Sequence, residues 1–169
     1  MHLVHNTLEI DRDDFAAFYE ATEAGFRAYA RRCVSDACLA DDLVQESYVR
    51  LLTSSKATIP PSERKLYLYR IATNLARDYW RKNRRYEPWT EVDEDWPSHP
   101  QSFHPGHALD VRRALQRMPA RYQALLWLAY IEEYDHKEIA EALNVSRLSV
   151  KVMLFRGRKM LAKLLEEEI

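Results

Sequence analysis

Glycine is scarce in this chain, with three residues in 169. No Gly-rich loop of the kind that cradles phosphates is present. With abundant Ala and Leu and apolar residues at helical spacing, the scarcity argues for an almost wholly helical protein. Cysteine is also rare: Cys33 and Cys38 lie five apart, which is not a structural zinc spacing. In a reducing compartment a disulfide is not expected, so both read as buried or idle thiols, with redox or metal sensing as the alternative. No apolar run is long enough to span a membrane, and MHLVHNTLEIDRDD lacks the basic-then-apolar layout of a signal peptide. A cytoplasmic location without membrane insertion is the expectation. Carboxylate clusters, metal-ligand motifs and nucleophile–base patterns are also missing, so neither catalysis nor a cofactor is expected.

The formal net charge of -1 conceals an uneven distribution. From Ser146 to Lys163 there are six cations, Arg147, Lys151, Arg156, Arg158, Lys159 and Lys163, and no acid. This stretch closes the segment Asp135–Leu161, which reads as a helix-turn-helix. Asp135 and Glu138 have the spacing of a capping box. Ile139, Ala140 and Leu143 form one helical face, and Asn144 tolerates the left-handed turn conformation. Ser146 can cap the second helix, whose apolar stripe is Val150, Leu154, Gly157 and Leu161. A helix apolar inside and cationic outside suits the major groove; the plainer alternative is a helical hairpin with a solvated basic face.

The N-terminal half reads as a helical unit. Phe15, Phe18, Tyr19, Phe26 and Tyr29 are candidate core on an early helix or helix pair. A second helix is expected from Asp41, packing through Val44, Tyr48, Leu51 and Leu52, with Asp41 and Asp42 favourable against the dipole of its first turn. Pro60 and Pro61 bar a helix through the following loop. The third helix gathers Leu68, Ile71, Ala72, Leu75 and Tyr79 on one side. Arg70, Asn74, Arg77, Arg81 and Arg84 lie on the other, with Tyr67 and Arg85 at its margin and Tyr69 and Trp80 between the stripes. Cations, an amide and aromatic rings together are equipment for gripping an unstacked strand. A solvated basic face over core aromatics is the alternative.

Between Tyr86 and His107 the composition shifts to two Trp, four Pro, three His and several acids, without Lys or Arg. This reads as an extended acidic tether. The spacing of His99, His104 and His107 fits no ligand pair, and no metal is expected. The expected architecture is all-α, with two small helical domains (1–86 and 108–169) joined by a flexible acidic, Pro-rich linker (87–107). In the second domain a short helix Leu109–Met118 leads to Pro119 at the first turn of the next. Leu125, Trp127, Leu128 and Ile131 are its candidate core.

Two blocks in this order resemble bacterial sigma factors of the extracytoplasmic function type, in the sigma-70 family. ADDLVQESYVRLL is similar to that family's polymerase-binding helix, and YLYRIATNLARDYWRKNRR to its promoter-melting helix. LQRMPARYQALLWLAYIEEYDHKEIAEALNVSRLSVKVMLFRGRKML resembles the domain that reads the −35 element. The resemblance implies a specificity subunit that binds core RNA polymerase, through the clamp of the largest subunit and the flap of the second-largest, and promoter DNA. An anti-sigma factor is a further implied partner. By the same resemblance, Asp41, Asp42, Leu43, Gln45 and Glu46 face the clamp. The loop Thr53–Glu63 captures a base flipped from the −10 element. Asn74, Arg77, Trp80, Arg81, Arg84 and Arg85 hold the opened strand and its duplex edge. Arg147, Ser149, Lys151, Val152, Phe155 and Arg156 contact the −35 element. The tether threads toward the polymerase cleft, where its acids mimic nucleic acid.

The chain departs from that pattern at Asn144, where the family usually has Gly, and at Leu148, Val152 and Met153, where it has a small residue and a Ser-Arg pair. Polar readout of the −35 element is thereby reduced, leaving more to phosphate contacts and DNA shape. A stand-alone regulator of the LuxR-like helix-turn-helix kind is the competing reading; it predicts no binding to core polymerase and leaves the Asn-bearing basic helix unexplained. A nucleic-acid enzyme is the other competing class.

Overall fold

A computed structural model describes residues 11–82 and 108–167, with side chains in the second stretch from Val111 onward. Among the described residues there are seven α-helices, one 3-10 turn and no strand. The first domain contains α1 (Arg12–Cys33), α2 (Ala37–Leu52), a 3-10 turn (Ser55–Thr58) and α3 (Pro61–Lys82). The second contains α4 (Ala108–Arg117), α5 (Ala120–Tyr130), α6 (His136–Leu143) and α7 (Arg147–Glu167). The two fall on either side of the tether segment, which lies outside the described residues together with Arg84 and Arg85.

The early aromatics stand on one continuous helix. Asp11 caps α1 by accepting the Asp13 amide at 3.0 Å. Phe18, Phe26 and Tyr29 are buried, while Phe15 is half-buried and Tyr19 is 38% exposed. Phe26 meets Tyr48 and Tyr69 edge-on at 5.5 and 5.3 Å, tying α1 to both neighbours. Buried hydroxyls are paired across helices: Tyr29 with Thr73 at 2.7 Å, and Thr22 with Tyr48 at 2.7 Å. Each such pair spares a desolvated polar group.

α2 begins earlier than the sequence suggests. Its cap is Asp36, which accepts the amides of Cys38 and Leu39 at 2.8 and 3.1 Å. Asp41 and Asp42 therefore stand in the second turn, and the first turn carries no acid. Pro61 opens α3, where a missing N–H costs nothing. In the second domain Pro119 caps α5 from just outside it, and Ile131, expected in the core, is 61% exposed. Ile131 is the C-cap of α5, still helical in backbone and bonded through its amide to the Trp127 carbonyl at 2.9 Å, and its position on the last turn faces solvent.

The helix-turn-helix forms as its local signals dictate. Asp135 and Glu138 close a reciprocal capping box, with both bonds at 2.8 Å. Asn144 ends α6 in the left-handed conformation, φ 53° and ψ 51°. Ser146 Oγ accepts the Ser149 amide at 3.1 Å to start α7, which buries Val150, Met153, Leu154, Gly157 and Leu161. A Cβ on Gly157 would lie 3.2 Å from the Tyr122 ring, so α7 and α5 meet closely there and a larger residue would require that ring to shift by a few tenths of an ångström.

The two domains also pack on one another, α3 against α6 and α1 against α5. Between them lies a cleft of about 1140 Å3 whose walls include Arg31 and Arg32 of α1, Tyr79 and Trp80 of α3, Arg112 of α4 and Trp127 of α5. Burial, and then the nearby charge of Arg112, lowers the Arg32 guanidinium below its usual pKa.

Candidate polymerase and nucleic-acid interfaces

Along α2, Asp41, Asp42, Gln45 and Glu46 are exposed on one side. Val49, 53% exposed, and Leu39 extend this surface with apolar area. Asp41 is ion-paired with Arg27 of α1 at 2.5 Å, and Glu46 with Arg50 at 2.7 Å. Leu43, grouped with these residues by resemblance, instead points inward and is 8% exposed. It falls one step from Val44 and shares the helix face that packs on the core, so its side chain cannot contact a partner directly.

On α3 the cationic stripe is only partly open. Asn74 and Arg81 are exposed, while Arg70 and Arg77 are half-buried. Arg81 approaches Asp78 at 4.0 Å. The Arg77 guanidinium donates through Nη2 to the carbonyl of Leu143, at the end of α6. Trp80 is not a ring beside the cations. It is 6% exposed, and its indole N–H donates to the Cys33 carbonyl at 2.7 Å. Tyr69 is fully buried as well. α3 is packed by α1 and α2 on one side and by α6 on another, so the residues bordering its apolar stripe become core.

Arg64 gave no signal in the sequence. It is 3% exposed, bonds the Ile59 carbonyl at 3.0 Å, pairs with Asp14 at 3.0 Å and lies over the Phe18 ring at 4.9 Å. One buried arginine thus fixes the end of the loop Thr53–Glu63 to α1 and to the start of α3. The loop itself contains the 3-10 turn, capped by Ser54 and anchored by buried Ala57.

α7 presents its cations outward. Arg147 and Lys151 are exposed, and Ser149, Val152, Phe155 and Arg156 are half-buried on the same helix. The Ser149 hydroxyl pairs with that of Ser146 at 2.7 Å, so it is already engaged in the cap. Leu148 is 62% exposed beside them, an apolar side chain suited to contact with a base methyl or sugar. Among the described residues no group of His, Cys, Asp or Glu could hold a metal ion, and no helix is long and apolar enough to cross a membrane.

Comparison with known proteins matches each domain separately. Residues 18–86 fit the family model of Sigma-70 region 2, and residues 108–161 that of Sigma-70, region 4. The chain is 28% identical over 170 residues to the ECF RNA polymerase sigma factor SigX of Bacillus subtilis (strain 168), covering 93% of this chain and 88% of the relative. Identity to the ECF RNA polymerase sigma factor SigM of the same strain is 29% over 135 residues, 76% of this chain and 81% of the relative. Among solved structures, the sigma factor RpoE in complex with the anti-sigma factor NepR from Bartonella quintana shares the fold. The TM-score is 0.67 at 21% identity, covering 93% of this chain and 99% of that one.

Proposed function

The chain belongs to the sigma-70 family, in its extracytoplasmic function branch, and on that premise we propose how its work is divided among α2, α3 and α7. As a sigma factor it directs promoter-specific transcription, with core RNA polymerase and promoter DNA as its partners. We assign polymerase binding to the exposed side of α2, Asp41, Asp42, Gln45 and Glu46, with Leu43 holding that surface from beneath. Strand capture falls to Asn74, Arg77 and Arg81 of α3, with Trp80 as the core residue that seats them. Readout of the −35 element falls to Arg147, Ser149, Lys151, Val152, Phe155 and Arg156 of α7. Arg84 and Arg85 lie outside the described residues, and their role on the opened strand rests on the resemblance alone. The protein supplies specificity and the polymerase supplies the chemistry, so the chain works in the cytoplasm as a non-enzymatic subunit.

The observation that carries this reading is the pair of polar, cation-bearing helices on separate domains. One carries an amide-bearing stripe next to an anchored loop; the other is the second helix of a helix-turn-helix. A stand-alone operator-binding protein needs only the second. An anti-sigma factor is also a proposed partner, since RpoE of Bartonella quintana is solved with one and shares this fold.

Run-off transcription with purified core polymerase on a genomic fragment library tests the assignment. Discrete transcripts that require the added protein are expected, and their start sites would give the promoter motif. Sequence-specific binding to DNA fragments without any dependence on core polymerase would instead favour the stand-alone regulator.

A further inference from the structure

We propose that the arginine-lined cleft between the two domains is a binding site for a small polyphosphate anion, held through Arg31, Arg32 and Arg112. The cleft exists because the domains pack on one another. That packing is fixed at a second place, where the Glu132 carboxylate, 8% exposed, accepts from Tyr69 Oη at 2.5 Å and pairs with Lys65 Nζ at 2.7 Å. Of the described residues that line the cleft, five are arginines and none is Asp or Glu. Arg117 pairs with Glu167 at 3.2 Å, and the Arg121 guanidinium lies over the Tyr122 ring at 5.1 Å. The other three are different. Arg27, Arg50 and Arg64 of the first domain each meet a carboxylate, but Arg31, Arg32 and Arg112 have no ion pair among the described residues. Arg32 is also half-buried and close enough to Arg112 to feel its charge.

Gathering like charges in a partly desolvated cleft is unfavourable unless an opposite charge sits between them. Helix dipoles account for only part of the gathering. Arg31 and Arg32 stand in the last turn of α1, where cations are favoured. Arg112 stands in the middle of α4 and gains nothing of that kind. The start of α5 opens on the same cleft through Pro119 and Ala120, and Pro119 offers its first turn no side-chain cap, so the positive end of that dipole adds to the field. A guanidinium fork bonds two phosphate oxygens at once. Three such forks carry more charge than a single phosphate neutralises, which selects a chain of phosphates. The volume of about 1140 Å3 lies just above the usual range of small-molecule sites, about 300–1,000 Å3. The same phosphate chain comes free or attached to a nucleoside, and half-buried Tyr79 and Trp127 in the walls favour the nucleoside by offering rings for a base. Because the three arginines come from both domains, the anion binds the packed molecule and stabilises it by mass action.

Isothermal titration calorimetry of the full chain with adenosine triphosphate, tripolyphosphate and adenosine, in magnesium-free buffer, tests the site. Adenosine triphosphate should bind at one site and raise the melting temperature, and adenosine should not bind. Weaker binding of tripolyphosphate identifies the nucleotide as the source of the phosphate chain, and equal binding identifies the inorganic chain. Arg112→Ala and Arg32→Ala should each weaken binding about ten-fold, as for one lost charge-assisted contact. Arg112→Lys keeps the charge without the fork and should retain part of the affinity. Without ligand, Arg112→Ala removes a repulsion and should not lower the melting temperature. A lower melting temperature with binding intact would make Arg112 structural and overturn its role. Arg50→Ala, on α2 and paired with Glu46, should leave binding unchanged. No binding of either phosphate probe overturns the proposal. So does a loss in Arg50→Ala or Lys151→Ala equal to that in Arg112→Ala, since the anion would then be drawn to cationic surface in general or to the DNA-reading helix.

Discussion

Replacing Trp80 by Phe separates a core role from a stacking role, because the two predict opposite outcomes. As a ring on DNA, Trp80 would be exchangeable for another aromatic at little cost. As found, it is 6% exposed and satisfies the Cys33 carbonyl at the end of α1 through a 2.7 Å bond. Phe keeps most of the apolar burial but supplies no donor, and an orphaned buried acceptor costs about 1–3 kcal/mol. The smaller ring adds a cavity, and full truncation to Ala belongs to a class costing about 3–5 kcal/mol. A total near ~2 kcal/mol for Trp80→Phe, with a urea slope of about 2 kcal/mol per molar, lowers the unfolding midpoint by roughly 1 M. The assay is urea unfolding followed by far-ultraviolet circular dichroism, paired with permanganate reactivity of promoter thymines below the transition. The expected result is a large shift in midpoint and normal thymine reactivity wherever the protein is still folded. A midpoint within about 0.2 M of wild type, together with lost reactivity, would refute the reasoning and return the indole to the DNA.

Alkali should weaken the fold. Burial pushes the Cys33 thiol and the Tyr48 phenol up to about 12 each and also raises the Tyr29 and Tyr69 phenols above their usual range. The unfolded chain releases these protons at lower pH than the fold does, so stability is full below about pH 8.5 and falls through the range up to 12. Melting temperatures between pH 7 and 10.5 check it, and a flat profile would contradict it. Asp42→Lys should abolish retention of the protein by immobilised core polymerase without changing the melting temperature, since Asp42 is exposed and outside the first turn of α2. Full retention would remove α2 from the interface. Lys151→Ala should lower the salt slope of −35 duplex binding by roughly one unit, as for one lost phosphate contact; an unchanged slope would place that lysine off the DNA.

What was legible in the sequence is what local chemistry decides. The capping box of Asp135 and Glu138, the left-handed Asn144 and the Ser146 start specify the helix-turn-helix within a dozen residues, and each acts where expected. The start of α2 was misjudged because Asp36 is an equally good cap a few residues upstream of the acids that drew attention. On α3 the arithmetic of a single apolar stripe fails, because a helix flanked by α1, α2 and α6 buries more than one side. Tyr69 and Trp80, expected between the two stripes, are therefore core. Glu132 could not be read at all: Tyr69, which bonds it, lies 63 residues away, and no spacing rule links them. Arg64 is similar, since its partner Asp14 is 50 residues distant.

The arginines facing one another across the interdomain cleft carry a consequence for how the molecule answers to its medium. Arg32 of α1 and Arg112 of α4 are brought near enough for the charge of one to lower the pKa of the other. The domain contact that engages Glu132 therefore also holds two like charges close together. Monovalent salt screens both that repulsion and the Lys65–Glu132 attraction, but the buried carboxylate is screened less than the more open arginines. Rising ionic strength should then tighten the domain contact rather than loosen it, the reverse of what a contact held by an exposed salt bridge would do.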